Sequence, residues 1–269
     1  MATIKGPVQL EGGVGGMSFY TRRGSDKIIV RTKGGPSKQA IKNSPGFENL
    51  RLNQKEWIGC TAFASKLRYA FGGLHRVADY NLTPALNAFA KNLQKTDEIS
   101  ETGKRNIRFS AFRFTLDGFS FNRNYPFNTV LRVAPVVEIK REKLSAVVSV
   151  PRINTGVDLL NIQKLPYFRL TVSIGAVSDL VHDGLSNSYP AANQRLHGLC
   201  STHETGWLPS TGIYPETGLE VQLPENMMPY LTDEITLVVS MAIEFGQVGF
   251  TGLPQEVKYA GCGKVLVCG

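Results

Sequence analysis

A chain of 269 residues, 42% hydrophobic and 19% charged, has ample material for a core, which excludes disorder as its default state. It has no apolar run of the roughly 18 residues a membrane span needs, and Met1 to Val8 lacks the apolar stretch of a signal peptide. A soluble, cytoplasmic product without membrane partners is therefore expected, one that leaves the cell, if at all, by lysis or a dedicated exporter, or is released as part of an assembly. The net charge of +8 is unevenly placed: residues 1–113 hold 19 of the 30 Lys and Arg but 8 of the 22 Asp and Glu, leaving +11 there and −3 in the remainder.

In chain order, residues 1–35 read as a glycine-rich β-hairpin arm. Met17 to Arg22 and Lys27 to Thr32 are two β-rich runs, and Arg23-Gly24-Ser25-Asp26 between them supplies turn chemistry. Upstream, Gly12-Gly13-Val14-Gly15-Gly16 is too flexible for a strand interior and suggests a bend, a bulge or a close backbone approach.

Residues 36–95 read as a helical hairpin. Ser37 is placed to cap a short turn through Ile41, and Ser44-Pro45 resembles an N-cap followed by proline at the first helical position. Trp57, Cys60, Ala64, Leu67 and Phe71 then recur at helical spacing, with Phe47 and Leu50 extending the stripe backward and Gly72-Gly73 ending it. Leu82, Leu86, Phe89 and Leu93 form a second stripe with Asn81 as its cap, so an antiparallel pair is expected.

Residues 96–106 are polar and pattern-free, a linker or exposed loop. From 107 to 269 the chain reads as an antiparallel β-sandwich. Strands are expected from Phe109 through Phe121, Val130 to Ile139, Ala146 to Val150, Phe168 to Val177, Leu219 to Leu223, Ile235 to Phe245, Glu256 to Tyr259 and Lys264 to Val267. Residues 178–218, rich in His, Asn, Pro, Ser and Gly, read as a long surface loop suited to interaction. The expected fold class is therefore α+β, an N-terminal β-hairpin arm and antiparallel helical pair followed by the sandwich.

No spacing names a reaction. His197, Cys200, His203 and Glu204 are the one concentration of metal-capable side chains, but they match no zinc pattern and read as a polar loop with a buried Cys200. Cys60, Cys262 and Cys268 read likewise as reduced, mostly buried thiols. The glycines at 12–16 lead into a strand rather than a helix, which is the wrong context for a phosphate loop. No Gly-x-Ser-x-Gly elbow is present, and neither metal, cofactor nor enzymatic activity is expected. The basic stripe carries more weight. Arg22, Arg23, Lys27, Arg31, Lys33, Lys38 and Lys42 lie together with Asp26 as the single intervening acid, which suits phosphate neutralisation, and Phe19 and Tyr20 are placed to stack on bases.

Val14-Gly15-Gly16, Phe19-Tyr20-Thr21-Arg22-Arg23-Gly24, Val30-Arg31, Pro36-Ser37 and the Phe47-to-Phe71 helix form a recurring pattern. In these features the N-terminal 75 residues resemble an uncharacterised, multi-copy protein family of Bacteroidota and their mobile elements. The resemblance implies a helical-hairpin segment followed by a β-sandwich, and it brings no assigned enzyme activity to carry over.

The leading expectation is a non-enzymatic structural subunit that self-assembles into a filament, tube or virion-like particle. Its arm would add strands to a neighbour's sheet, with Phe19, Tyr20, Ile28 and Val30 filling alternate pockets, and basic and acidic regions of successive copies would meet head to tail. The alternative is a nucleic-acid-binding protein using the same stripe. A third reading makes the sandwich a carbohydrate- or ligand-binding module with Trp207 and Tyr214 as its platform, against which stands ordinary packing of both rings beneath the loop.

Overall fold

The computed structural model describes residues 11–22, 27–32 and 34–269, together with the backbone of 2–4. The chain divides into two compact units, residues 1–51 and 52–269. The fold is α+β, with an N-terminal hairpin, a helical region and a sheet-rich remainder.

The first unit holds a four-stranded antiparallel sheet in the order β1-β4-β3-β2, from β1 (Ala2–Ile4), β2 (Gly12–Val14), β3 (Met17–Thr21) and β4 (Ile28–Thr32). The expected hairpin is β3–β4, paired from Met17↔Thr32 to Thr21↔Ile28. The glycine run departs from expectation. Gly12 to Val14 is itself a strand, paired with β3, and Gly15 at φ +57° opens the two-residue turn to Met17. The flexible glycines thus make a second hairpin, because the turn needs a residue at ease with positive φ. Helix α1 (Lys38–Asn43) follows, capped by the Ser37 hydroxyl accepting from the Ala40 N–H. Arg51 Nη1 donates to the carbonyls of Ile41 and Ser44, tying off the end of that helix.

Helix α2 (Glu48–Ala70) begins in the first unit and runs into the second, where α3 (Leu82–Lys95) lies antiparallel to it, capped by Asn81. Cys60, Ala64, Leu67 and Phe71 are buried as the stripe requires, but Trp57 and Leu50 stand largely exposed. The buried face is rotated to include Glu56 instead. Arg105 grips both oxygens of Glu56 at 2.7 Å, Lys91 pairs with it, and the Gly103 N–H donates to it at 2.8 Å. The polar segment 96–106 is thereby fastened to the helical pair, and Asp97 braces it further by accepting from the N–H groups of Ile99, Ser100 and Asn106.

Beyond this segment lie β5 (Val136–Lys140), β6 (Ser145–Val150), β7 (Ile153–Asn154), β8 (Tyr167–Ser178), β9 (Cys200–Glu204), β10 (Leu208–Pro209), β11 (Ile213–Tyr214), β12 (Thr217–Gln222), β13 (Ile235–Val248) and β14 (Pro254–Cys268). Strands β10-β8-β13-β14, with β9 also on β8, make the larger sheet, and β12-β6-β5 the smaller. The two face each other over one core. Phe168, Leu170, Val172 and Ile174 of β8 and Leu237, Val239, Met241 and Ile243 of β13 meet Ala146, Val148, Leu219 and Val221 there.

The opposite face of the larger sheet meets the helical pair. Val177, Val238, Ala242 and Val265 join Phe63, Leu67, Phe71 and Leu86 in a second core. Both faces being covered, β8 and β13 are buried almost end to end. That explains their continuous apolar runs.

Four expectations need correction. Residues 109–121 are not a strand: Ser110–Leu116 is a 3-10 segment kinked at Phe112, which sends Phe109, Leu116 and Phe121 into the helical core while Phe114 faces outward. Only Val136–Lys140 of the 130–139 run is a strand. The two short terminal strands are one, β14. Residues 178–218 are not wholly loop, since β9 pairs with β8 from Thr171↔Glu204 to Gly175↔Cys200, and β10 and β11 lie there as well.

Candidate assembly edge and basic face

The pleat of β3 and β4 sorts the expected arm residues into two sets. Phe19 pairs with Val30, and Thr21 with Ile28, so Phe19, Val30 and Ile28 share one face. Tyr20 pairs with Ile29 and faces the other way. Phe19 and Ile28 are buried within the chain, while Tyr20 and Val30 are half-buried. What the sheet leaves open is its edges. Among the described residues β2 pairs with β3 alone and β1 with β4 alone. All three residues of β2 are exposed, and Val14 and Met17 beside its turn carry exposed apolar side chains.

The Tyr20 face is the basic one. Ser18↔Arg31 is the neighbouring pair, and the Arg31 guanidinium lies 5.7 Å from the centre of the Tyr20 ring. Arg22 and Lys27 continue the same alternation past the strand ends and are exposed. Lys38 and Lys42 stand one turn apart on α1, also exposed. Arg23 and Lys33 lie outside the described residues. Counted over the two units, the first holds nine Lys and Arg against three Asp and Glu, a net of +6. The second holds 21 against 19, a net of +2. The basic residues of the helical pair belong to the same body as the acidic strands, so that body is not acidic as a whole. Summed over the two units, the net charges no longer have opposite signs.

The other candidates are occupied internally. His197 Nδ1 accepts from the Ser178 N–H, and burial, aided by Lys66, lowers its pKa to about 4. His203 Nδ1 lies 2.7 Å from the Glu220 carbonyl oxygen, while Glu204 pairs with Arg169. Cys200 is exposed rather than buried, being at the edge of β9, whereas Cys60, Cys262 and Cys268 are buried free thiols. Trp207 carries the Arg169 guanidinium 4.7 Å from its ring centre. Tyr214 packs edge-on against Phe168 and donates its hydroxyl hydrogen to the Pro209 carbonyl.

No family model matches this chain, and no curated protein or solved structure is significantly similar to it. The geometry therefore carries the functional reading alone.

One network escaped the sequence. Glu244, buried on β13, pairs with Arg76 at 2.7 Å and with Arg169, while Glu256 of β14 lies within 3.4 Å of the same two arginines. Its members stand on four separate elements, the 3-10 turn after α2 and strands β8, β13 and β14. No spacing could have announced it.

Proposed function

We propose that the chain is a non-enzymatic structural subunit that self-assembles through its N-terminal sheet. The observation that carries this reading is the pair of unlike edges, β2 at one end of the sheet and β1 at the other, which have no further strand partner among the described residues. An unpaired edge presents a row of free N–H and C=O groups, a template for another strand. Joining β2 of one copy to β1 of the next would continue the sheet head to tail, a heterologous contact that builds rings or open filaments. Backbone pairing replaces the charge attraction expected from the sequence. Both units are net positive, so screening by salt would favour association rather than oppose it.

Substitution Gly13→Pro tests the edge. Val14 and Met17 flank the two-residue turn, so ladder alternation turns the Gly13 N–H away from β3. Proline there deletes an outward donor and keeps the hairpin. Sedimentation velocity across a concentration series should show large species for the wild type and a smaller one for the variant. A wild type that stays monomeric across the concentration series from low to high salt overturns the proposal.

The second reading, binding of nucleic acid, is favoured by the Tyr20–Arg31 stack with Arg22 and Lys27 on the same face. It requires sequence-tolerant affinity that falls steeply with salt. The combined variant Arg22→Ala, Lys27→Ala and Arg31→Ala should flatten that slope, and an unchanged slope rejects this face as the site.

A further inference from the structure

The last strand pair carries an irregularity that a plain sheet does not need. Glu244 faces Gly261 and Gly246 faces Glu256, so Phe245 alone is opposed by the whole of residues 257–260. Within this bulge Tyr259 has φ +63°, a left-handed conformation, and its side chain is largely exposed. Bulky residues rarely adopt it, and such outliers gather at ligand sites.

Two clefts lie against the bulge, and Tyr259 and Ala260 line both. The larger, about 510 Å³, is walled by Arg68, His75, Arg76, Tyr80, Glu244 and Lys258. The smaller, about 220 Å³, is mainly apolar, with Tyr125, Val130, Leu160, Ile162 and Phe245 among its walls. Together they have the size and mixed lining of a small-molecule site.

In the larger cleft the carboxylates are already matched. Glu244 and Glu256 are held by Arg76 and Arg169. Arg68 and Lys258 have no carboxylate partner among the described residues. Arg68 reaches only the Thr83 hydroxyl, at 3.5 Å, and Lys258 Nζ stands 4.9 Å from the Tyr259 ring centre. The His75 pKa is lowered, by burial first and then by Arg68 and Arg76, so the positive field reaches into the cleft wall. Two cations without a carboxylate partner beside an exposed aromatic ring suit a dianion attached to a flat aromatic group. A phosphate monoester carries about −1.5 to −2 charge at pH 7 and suits a guanidinium and an ammonium together.

We propose that the paired clefts bind an aromatic phosphate monoester of nucleoside monophosphate size, with its phosphate taken by Arg68 and Lys258 and its ring set along Tyr259 toward the apolar cleft. The site lies wholly within residues 52–269 and is independent of the assembly edge.

Calorimetric titration of the full chain with adenosine monophosphate, adenosine and inorganic phosphate tests this. Adenosine monophosphate should bind at least about tenfold more tightly than either fragment, and Arg68→Ala and Lys258→Ala should each weaken it by about tenfold. Both side chains are exposed, so these variants should keep the fold. Tyr259→Gly should weaken binding while the melting temperature holds or rises, because glycine relaxes the positive φ. The proposal is overturned by absence of binding at about 10 mM nucleotide. It is equally overturned by equal affinity for nucleotide and nucleoside, or by variants that bind as the wild type does.

Discussion

Gly175 of β8 lies directly beneath the backbone of Ala70 at the end of α2. A Cβ at Gly175 would sit 2.2 Å from the Ala70 carbonyl oxygen and 2.5 Å from its Cα. The helix end can approach the sheet this closely because the residue below it has no side chain. The contact also sets the depth of the second core, in which Ala70 and Val177 both take part.

Gly175→Ala should therefore destabilise the protein by about 1–3 kcal/mol or more, since backbone atoms cannot swing aside as a side-chain tip can. Gly184→Ala is the matched control, with ordinary φ and nothing within 4 Å of the added carbon. Urea unfolding should separate the two, with the control staying within about 0.5 kcal/mol of the wild type.

Glu56 makes the fold acid-sensitive. Burial pushes its pKa up, but the ion pairs with Arg105 and Lys91 and the Gly103 N–H outweigh burial and bring it down from 4.5 to about 2. A depressed carboxyl contributes stability that is fully present above about pH 4.5 and lost as pH falls toward 2. By linkage this contribution is on the order of 3 kcal/mol. Glu56→Gln should lower stability at pH 7 and flatten its decline between about pH 5 and 2, as read by unfolding midpoints across that range.

Thiol titration checks the burial pattern. Burial raises the pKa of Cys60 to about 11 and pushes Cys262 and Cys268 higher still, while Cys200 is exposed. In the native protein at pH 8 a chromogenic disulfide should react rapidly with Cys200 alone, because the thiolate is the nucleophile. All four cysteines should react once the chain is denatured.

The helices were legible where local chemistry decides them. Ser37 and Asn81 are caps with an accepting oxygen, and the Cys60–Ala64–Leu67 stripe keeps the helical period. Trp57 follows the same period yet lies outside, because the Glu56 network rotates that turn, and its partners Lys91 and Arg105 are distant in sequence. Phe109 to Phe121 alternates as a strand would. Its aromatics instead descend from a kinked 3-10 segment into a core whose other wall, α2 and α3, no strand template anticipates. The β3–β4 hairpin was readable from its two β-rich runs, the turn residues Arg23 to Asp26 lying outside the described residues, but the sorting of Tyr20 away from Phe19 and Val30 required the register. The charge split was visible along the chain, but its boundary is not that of the two units, since the helical pair belongs with the sheets.

Imaging decides the central claim most directly. Negative-stain electron microscopy of the purified full chain, with and without nuclease treatment, should show ordered filaments, tubes or particles that survive nuclease and carry no nucleic-acid absorbance. Dispersed monomers in both samples, or assemblies that vanish with nuclease, would contradict self-assembly through the N-terminal sheet.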